Sequence, residues 1–473
     1  MSKNSPRSPR SQLCSSCSCS GFPHCGPGWG GFVTALIAAT TCYRISDTEV
    51  GTTVSTMAPT VAMVAFILLG GVGLAETMNL SGAQERISAW LEQVESGADR
   101  TTTLLLVYGM TPLMESVTGF GLGVVITAPL LIRHGLAPIK AVMVGLLGLV
   151  LVPWGSLAPG TLIAADVGGQ NFNDLGVWSA IFTLPVLVVS MTAVLALTIG
   201  RPNVRQLGLA GVVILTQETT LVAANLALGP PLAGVIAGTA VIAVLLIRTW
   251  SVNGPLPRVS PELAVAMVPY LVLGCGILLA TAGLELADTS EQPSWVSSPA
   301  LWVNMAVLAG LSILRAPHRR KLTAIGTIVR KWVPVAGNTL IFMLLGIVMA
   351  ATGMAQHLAD TAAHSGLGFV AAIPAIGALG GYLTGSNTGA AAMFSAGTAS
   401  AATSLGANPL IALAGQNVAG SIAIIASPPR IALATVVALE PGEQLPRTAK
   451  QALYFVVSVV ALVLGAIVLS LAT

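Results

Sequence analysis

The chain has 473 residues, 54% of them hydrophobic and 8% charged, with a net charge of +3 and a mean hydropathy of +0.84. A soluble domain carries about a quarter of its residues as charged side chains, so this composition excludes one and describes a polytopic membrane protein. The charge is also too small to suggest a nucleic-acid partner, which requires a clustered basic face.

Residues 1–30 are rich in Ser, Pro and Cys and read as a disordered tail without the apolar core of a signal peptide. Cys14, Cys17, Cys19, His24 and Cys25 fall there. They lack a second spaced ligand pair on a folded element, so neither a metal site nor a cofactor is expected. Residues 31–43 are mostly apolar but fall short of the roughly 20 needed to cross a bilayer. Only Cys42 and Cys275 occur elsewhere, and no disulfide framework follows.

Residues 31–473 read as one all-α transmembrane transporter domain of about 12–14 membrane segments. Apolar segments are predicted near 56–75, 101–113, 114–132, 137–159, 177–199, 206–224, 228–247, 262–284, 299–314, 333–355, 367–385, 386–402, 408–437 and 451–472. Glycines and polar residues interrupt 101–132 and 367–402, so each is expected to hold a helix plus a re-entrant or unwound piece, which is tolerated at depth only where backbone is buried or lines a cavity.

These two stretches belong to a proposed internal repeat, with cores at about 101–160 and 367–437. A gapless shift of 271 positions (406 − 135) sets Gly135 on Gly406, Pro138 on Pro409, Ala141 on Ala412, Ser156 on Ser427 and Glu115 on Ser386. Paired Gly/Pro-interrupted segments in corresponding halves point to a transporter binding site. Every second loop is basic, at Arg133 to Lys140, Arg201 to Arg205, Arg248 to Arg258 and Arg315 to Lys331, which assigns those loops to the cytoplasm. Nine segments then separate the turn at Gly135 from the turn at Gly406. The number is odd, so the copies are expected to be inverted, provided that 386–402 crosses fully.

Glu115 is the sharpest functional candidate, because a carboxylate flanked by apolar sequence needs a cavity or a partner and can load and release a proton. The competing reading is a helix-end Glu at the interface. Glu218, beside Gln217, is a second intramembrane acid and a second proton-coupling candidate, or else a structural hydrogen-bond partner. Arg430 follows Ser427-Pro428-Pro429 and precedes an apolar run. Its guanidinium suits a carboxylate, although snorkelling to headgroups would also account for it. Thr384, Ser386, Asn387 and Thr388, bracketed by Gly385 and Gly389, could hold a small polar ligand or cap an ordinary turn. Gln416, Asn417, Ser421 and Ser427 could complete that site or join helices. The glycines at 119, 121 and 123 are not a nucleotide loop, since no Walker Lys follows them. No His lies inside an apolar span to serve a Ser156 or Ser427 nucleophile, so an enzyme is not expected.

Glu115, Gly119, Phe120 and Gly121 match the signature Glu-Gly-Ala-Ala-Gly-Phe-Gly, and Leu383, Thr384, Gly385, Ser386 and Thr388 match Leu-Thr-Gly-Ser-Asp-Thr, with Asn387 in place of the acid. Ala426-Ser427-Pro428-Pro429 is similar to Ile-Ser-Pro-Gln. In these motifs the chain resembles the lactate permease family of bacterial lactate and glycolate transporters, from about residue 54 to its end. The resemblance implies proton-coupled symport of a 2-hydroxymonocarboxylate through the bacterial inner membrane. Glu115 would handle the proton. Thr118, Gly119, Phe120, Gly121, Ser156, Thr384, Gly385, Ser386, Asn387, Thr388, Asn417, Ser427 and Arg430 would surround the carboxylate. Ser116, Val117, Thr118, Asn387 and Arg430 depart from the pattern, and the chain is shorter at its start and in its middle loops, which leaves open the substrate and the completeness of the N-terminus. Transport of another small organic anion and passive anion conduction are the alternatives.

Overall fold

The computed structural model describes residues 32–34, 36, 37, 41, 47–94, 101–119, 121–155, 157–287, 295, 296, 298–313, 318–352, 366–440 and 443–473. The tail at 1–30, with its cysteines, lies outside the described residues, as do Phe120 and Ser156.

Among the described residues the fold is all-α. The long helices are α1 (Asp47–Leu80), α8 (Phe172–Thr198), α9 (Val204–Leu228), α10 (Pro230–Asn253), α11 (Pro261–Ala287), α13 (His318–Ala351) and α18 (Arg447–Ala472), with the shorter α2 (Ala83–Val94) and α12 (Pro299–Ile313) between them. Nine helices among the described residues are long and apolar enough to cross a membrane. Four shorter apolar helices supply most of the remaining predicted segments. Proline sets many of the boundaries: α10, α11 and α12 each begin on one, where its missing N–H costs nothing.

The interrupted stretches fold as two helical hairpins, each followed by a broken helix. In the first, α3 (Thr101–Leu104) continues through a π-helical turn (Leu105–Met110) into α4 (Thr111–Thr118), and α5 (Leu122–Arg133) runs back along it. The return is fixed by the Thr111 hydroxyl, which donates to Thr127 Oγ1 at 2.9 Å. After the turn at Gly135 comes α6 (Pro138–Leu147), a 3-10 turn (Val152–Trp154) and α7 (Pro159–Val167). In the second, α14 (Leu367–Thr384) and α15 (Asn387–Ser404) form the hairpin, folded so that a Cβ on Gly380 of α14 would lie 2.9 Å from the Phe394 ring of α15. Then follow the turn at Gly406, α16 (Pro409–Ala423), a 3-10 turn (Ile424–Ala426) and α17 (Pro428–Ala438).

From the turns onward the 271-residue shift holds. Gly135 and Gly406 both have positive φ, 84° and 70°, Pro138 and Pro409 each open a helix, and α7 and α17 end in register at Val167 and Ala438. Before the turns it fails. Gly121 caps α5 and Ser386 caps α15, so Glu115 is not the counterpart of Ser386: the second hairpin has the longer return arm, 18 residues in α15 against 12 in α5. Because α14 and α15 fold back on each other, together they return the chain to the side it came from. The inversion of the two copies therefore does not depend on 386–402 crossing by itself.

The copies interlock. The α5 arm packs on its own α6 and on α17 of the other copy, while α15 packs on its own α16 and on α7 of the other. Helices α1, α2, α11, α12 and α13 form a separate layer, with α13 contacting α15. Within that layer the Lys331 ammonium of α13 meets the buried Glu76 carboxylate of α1 at 2.5 Å.

Candidate functional site

Each hairpin ends at a glycine that the chain cannot replace cheaply. Gly121 has φ 81°, in the left-handed region that side chains avoid. A Cβ there would also come within 2.5 Å of Arg430 Nη1. Gly385 has φ 63°, and a Cβ there would come within 2.7 Å of the Pro429 ring and 3.3 Å of Ser427 Oγ. The first tip therefore rests on α17, and the second rests on the break between α16 and α17.

Glu115 lies one turn before the first tip and is 2% exposed. The tip folds over it: the Gly121 N–H donates to both carboxylate oxygens, at 3.1 and 2.9 Å. Arg430 Nη2 stands 3.9 Å from Glu115 Oε1, with the arginine side chain 11% exposed. This is an ion pair too long to be a hydrogen bond. Arg430 Nε also donates to the Gly385 carbonyl at 3.3 Å. One guanidinium thus joins the tips of both hairpins, and it is turned into the protein rather than toward a headgroup layer.

The break in the first broken helix closes the same space. Leu157 and Ala158 have φ of 68° and 70°, a strained conformation for residues with side chains. The Leu157 N–H donates to the Ser116 carbonyl at 3.1 Å, and Gly155 lies against Glu115. The adjacent buried Trp154 donates through Nε1 to Asn225 Oδ1 of α9 at 3.2 Å.

Beyond the second tip a buried amide chain crosses between the copies. Asn387 Nδ2 donates to Asn417 Oδ1 at 2.8 Å, and Asn417 Nδ2 donates to Thr161 Oγ1 at 3.1 Å and to Ser179 Oγ at 3.0 Å. The Thr161 hydroxyl in turn donates to the Pro153 carbonyl at 2.8 Å. Gly160 makes room for this chain, since a Cβ there would sit 2.5 Å from Asn387 Nδ2.

The other sequence candidates occupy different positions. The Thr118 hydroxyl turns back to the Met114 carbonyl at 2.5 Å, and the Gly119 N–H donates to the Glu115 carbonyl at 2.8 Å. The Thr384 hydroxyl has the Gly380 and Ser386 carbonyls as alternative acceptors, each at 2.8 Å, and Ser386 accepts from the Gly389 N–H at 3.3 Å, so these two also act as local caps. Thr388 is buried in the first turn of α15, and the Ser427 hydroxyl donates to the Ile424 carbonyl at 2.7 Å. Glu218 lies on α9, which packs chiefly on α8 and α10, and is not drawn into the hairpin tips. Its Oε2 is enclosed without a hydrogen-bond partner. Thr161, Ser179 and Trp154 join this site without a sequence motif to mark them. A Thr or Ser within an apolar span ordinarily bonds its own helix, and nothing local in the sequence marks these as exceptions.

Hairpins and broken helices from two inverted copies, meeting at a buried ion pair, define a multi-pass membrane transporter. The crystal structure of the YdaH transporter from Alcanivorax borkumensis, whose topology is described as unusual, superposes with a TM-score of 0.54 over 94% of this chain and 98% of that one, at 13% identity; it shows the fold. The family model for L-lactate permease matches residues 29–284 and 286–469, and the chain belongs to that family. The L-lactate permease of Streptococcus iniae is 23% identical over 381 residues, covering 73% of this chain and 79% of that protein. That of Escherichia coli K12 is 25% identical over 185 residues, covering 39% of this chain but only 32% of its own length.

Proposed function

We propose that the chain is a secondary active transporter that carries lactate, or a related 2-hydroxymonocarboxylate such as glycolate, together with a proton into the cell across the bacterial inner membrane, with its basic loops in the cytoplasm. The observation that carries this reading is the buried pair of Glu115 and Arg430 at the meeting point of both hairpin tips. A guanidinium binds a carboxylate through two parallel N–H bonds, and Arg430 holds its nearest carboxylate only loosely.

The coupling follows from competition for one cation. An incoming substrate carboxylate takes the guanidinium. Glu115, buried and deprived of its counter-charge, then holds a proton. With substrate and proton both loaded, the site has the same net charge as when empty. The inward-negative potential, worth roughly 2.3 kcal/mol per charge per 100 mV, then does not oppose uptake of the anion. When the proton leaves on the other side, the Glu115 carboxylate reclaims Arg430 and displaces the substrate. Thr384, Ser386 and Ser427 shape the second tip around the carboxylate. Glu218 is a second proton site on the way in, supported by its enclosed, unpartnered carboxyl oxygen.

Uptake of radiolabelled lactate and glycolate into proteoliposomes, with and without an inward-acid pH gradient, tests this. Accumulation that requires the gradient supports symport. Equilibration without accumulation would indicate a passive conductor, and no uptake by folded protein would indicate another substrate.

A further inference from the structure

The amide chain behind the second hairpin tip has a direction, and that direction specifies the ligand it lacks. The Pro153 carbonyl can only accept, so the Thr161 hydroxyl spends its one hydrogen on it, at 2.8 Å. Thr161 Oγ1 must then accept from Asn417, which fixes the Asn417 amide with Nδ2 toward Thr161 and Oδ1 toward Asn387. Asn387 in turn must offer Nδ2 to Asn417. The remaining atom, Asn387 Oδ1, is enclosed and has no hydrogen-bond partner, on a residue that is 6% exposed. The polarity of the chain makes it an acceptor that awaits a donor.

Asn387 opens α15 two positions after Gly385, whose carbonyl holds Arg430. We infer that Asn387 Oδ1 accepts the 2-hydroxyl of the substrate while Arg430 holds its carboxylate, so that Asn387 sets the specificity for 2-hydroxy acids, with Asn417 and Thr161 as positioning residues. This rests on the carboxylate-binding reading above. A 2-oxo acid and an unsubstituted acid both lack the hydrogen that the oxygen needs. The donor reaches Oδ1 when the Gly385-Ser386 tip opens, because the oxygen is enclosed in this conformation.

The test is competition by L-lactate, glycolate, propionate, acetate and pyruvate against labelled lactate, measured by binding and by uptake for purified protein in proteoliposomes. Wild type should bind the hydroxy acids at least about tenfold more tightly than their matched analogues, since a site built around a hydroxyl is left with an unpaired group by analogues that lack it. Asn387→Leu should bring the lactate-to-propionate affinity ratio down to about one. Thr161→Val, which touches no substrate but releases the orientation of both amides, should narrow the lactate-to-propionate ratio severalfold and provides the answer if Asn387→Leu does not fold. A ratio unchanged in either folded variant overturns the inference and assigns the oxygen to a resident water. Failure of every monocarboxylate to bind folded wild-type protein overturns the carboxylate reading as well.

Discussion

Arg430 Nη2 stands 3.9 Å from Glu115 Oε1, although the two residues come from opposite copies of the repeat and each lies beside a different interruption in its own copy. The pair exists because the second half of each broken helix crosses to the other copy's hairpin, which brings α17 over the Gly121 tip. In the proposed mechanism this loose pairing leaves the guanidinium open to an external carboxylate, whereas a close bidentate pair would be satisfied without one.

Arg430→Lys keeps the charge and removes the planar fork. The transport KM for lactate should rise about tenfold or more, the loss of roughly one charge-assisted hydrogen bond. The concentration dependence of uptake reads this directly, and an unchanged KM would contradict the carboxylate-binding role.

Glu115→Gln leaves an oxygen to accept from the Gly121 N–H, so the tip retains its shape, but no titratable group remains beside Arg430. Gradient-driven accumulation should be lost while lactate-for-lactate exchange persists. The pH dependence of lactate affinity should flatten in the variant, since in wild type acidification loads the proton that accompanies the substrate. Counterflow assays across a pH series separate these outcomes, and accumulation equal to wild type would remove Glu115 from coupling.

The close approach of α14 and α16 is held by small residues, as is common between membrane helices. A Cβ on Gly381 would collide with the Gly420 carbonyl, whereas one on Gly397 of α15 meets nothing within 4 Å. Gly381→Ala should destabilise by about 1–3 kcal/mol through overpacking. Gly397→Ala should be neutral or stabilise by up to about 1 kcal/mol through helix propensity. Thermal unfolding followed by the monodisperse fraction compares the two, and equal behaviour would contradict this helix contact.

Trp154→Phe retains most of the buried ring but leaves Asn225 Oδ1 without its donor. An unmet buried acceptor costs about 1–3 kcal/mol. Because the residue sits in the 3-10 turn leading to the strained Leu157-Ala158 break, melting temperature and transport rate should fall together in this variant.

Much of the fold was legible in the sequence because a bilayer leaves few options for a polar backbone. Apolar length located the spans, and the glycine and polar clusters at 119–123 and 384–389 located both hairpin tips. The gapless repeat was right from Gly135 and Gly406 onward, where turn and helix start are set by backbone geometry. It was wrong before them, since arms of different length reach equivalent tips and no residue identity records the difference. Glu115 and Arg430 were each conspicuous as charges in apolar sequence, but their meeting depends on the crossing of the copies. Thr161 and Ser179 carry no signal of their own, because their roles arise only where Asn417 reaches them.

Entry of one proton with each carboxylate at Glu115 can be followed by recording external pH in weakly buffered suspensions of proteoliposomes on addition of lactate, in parallel with uptake of label. The medium should become alkaline in proportion to lactate taken up by wild-type protein, and should not with Glu115→Gln. Lactate uptake by wild type without proton movement, or an undiminished proton signal in the variant, would contradict it.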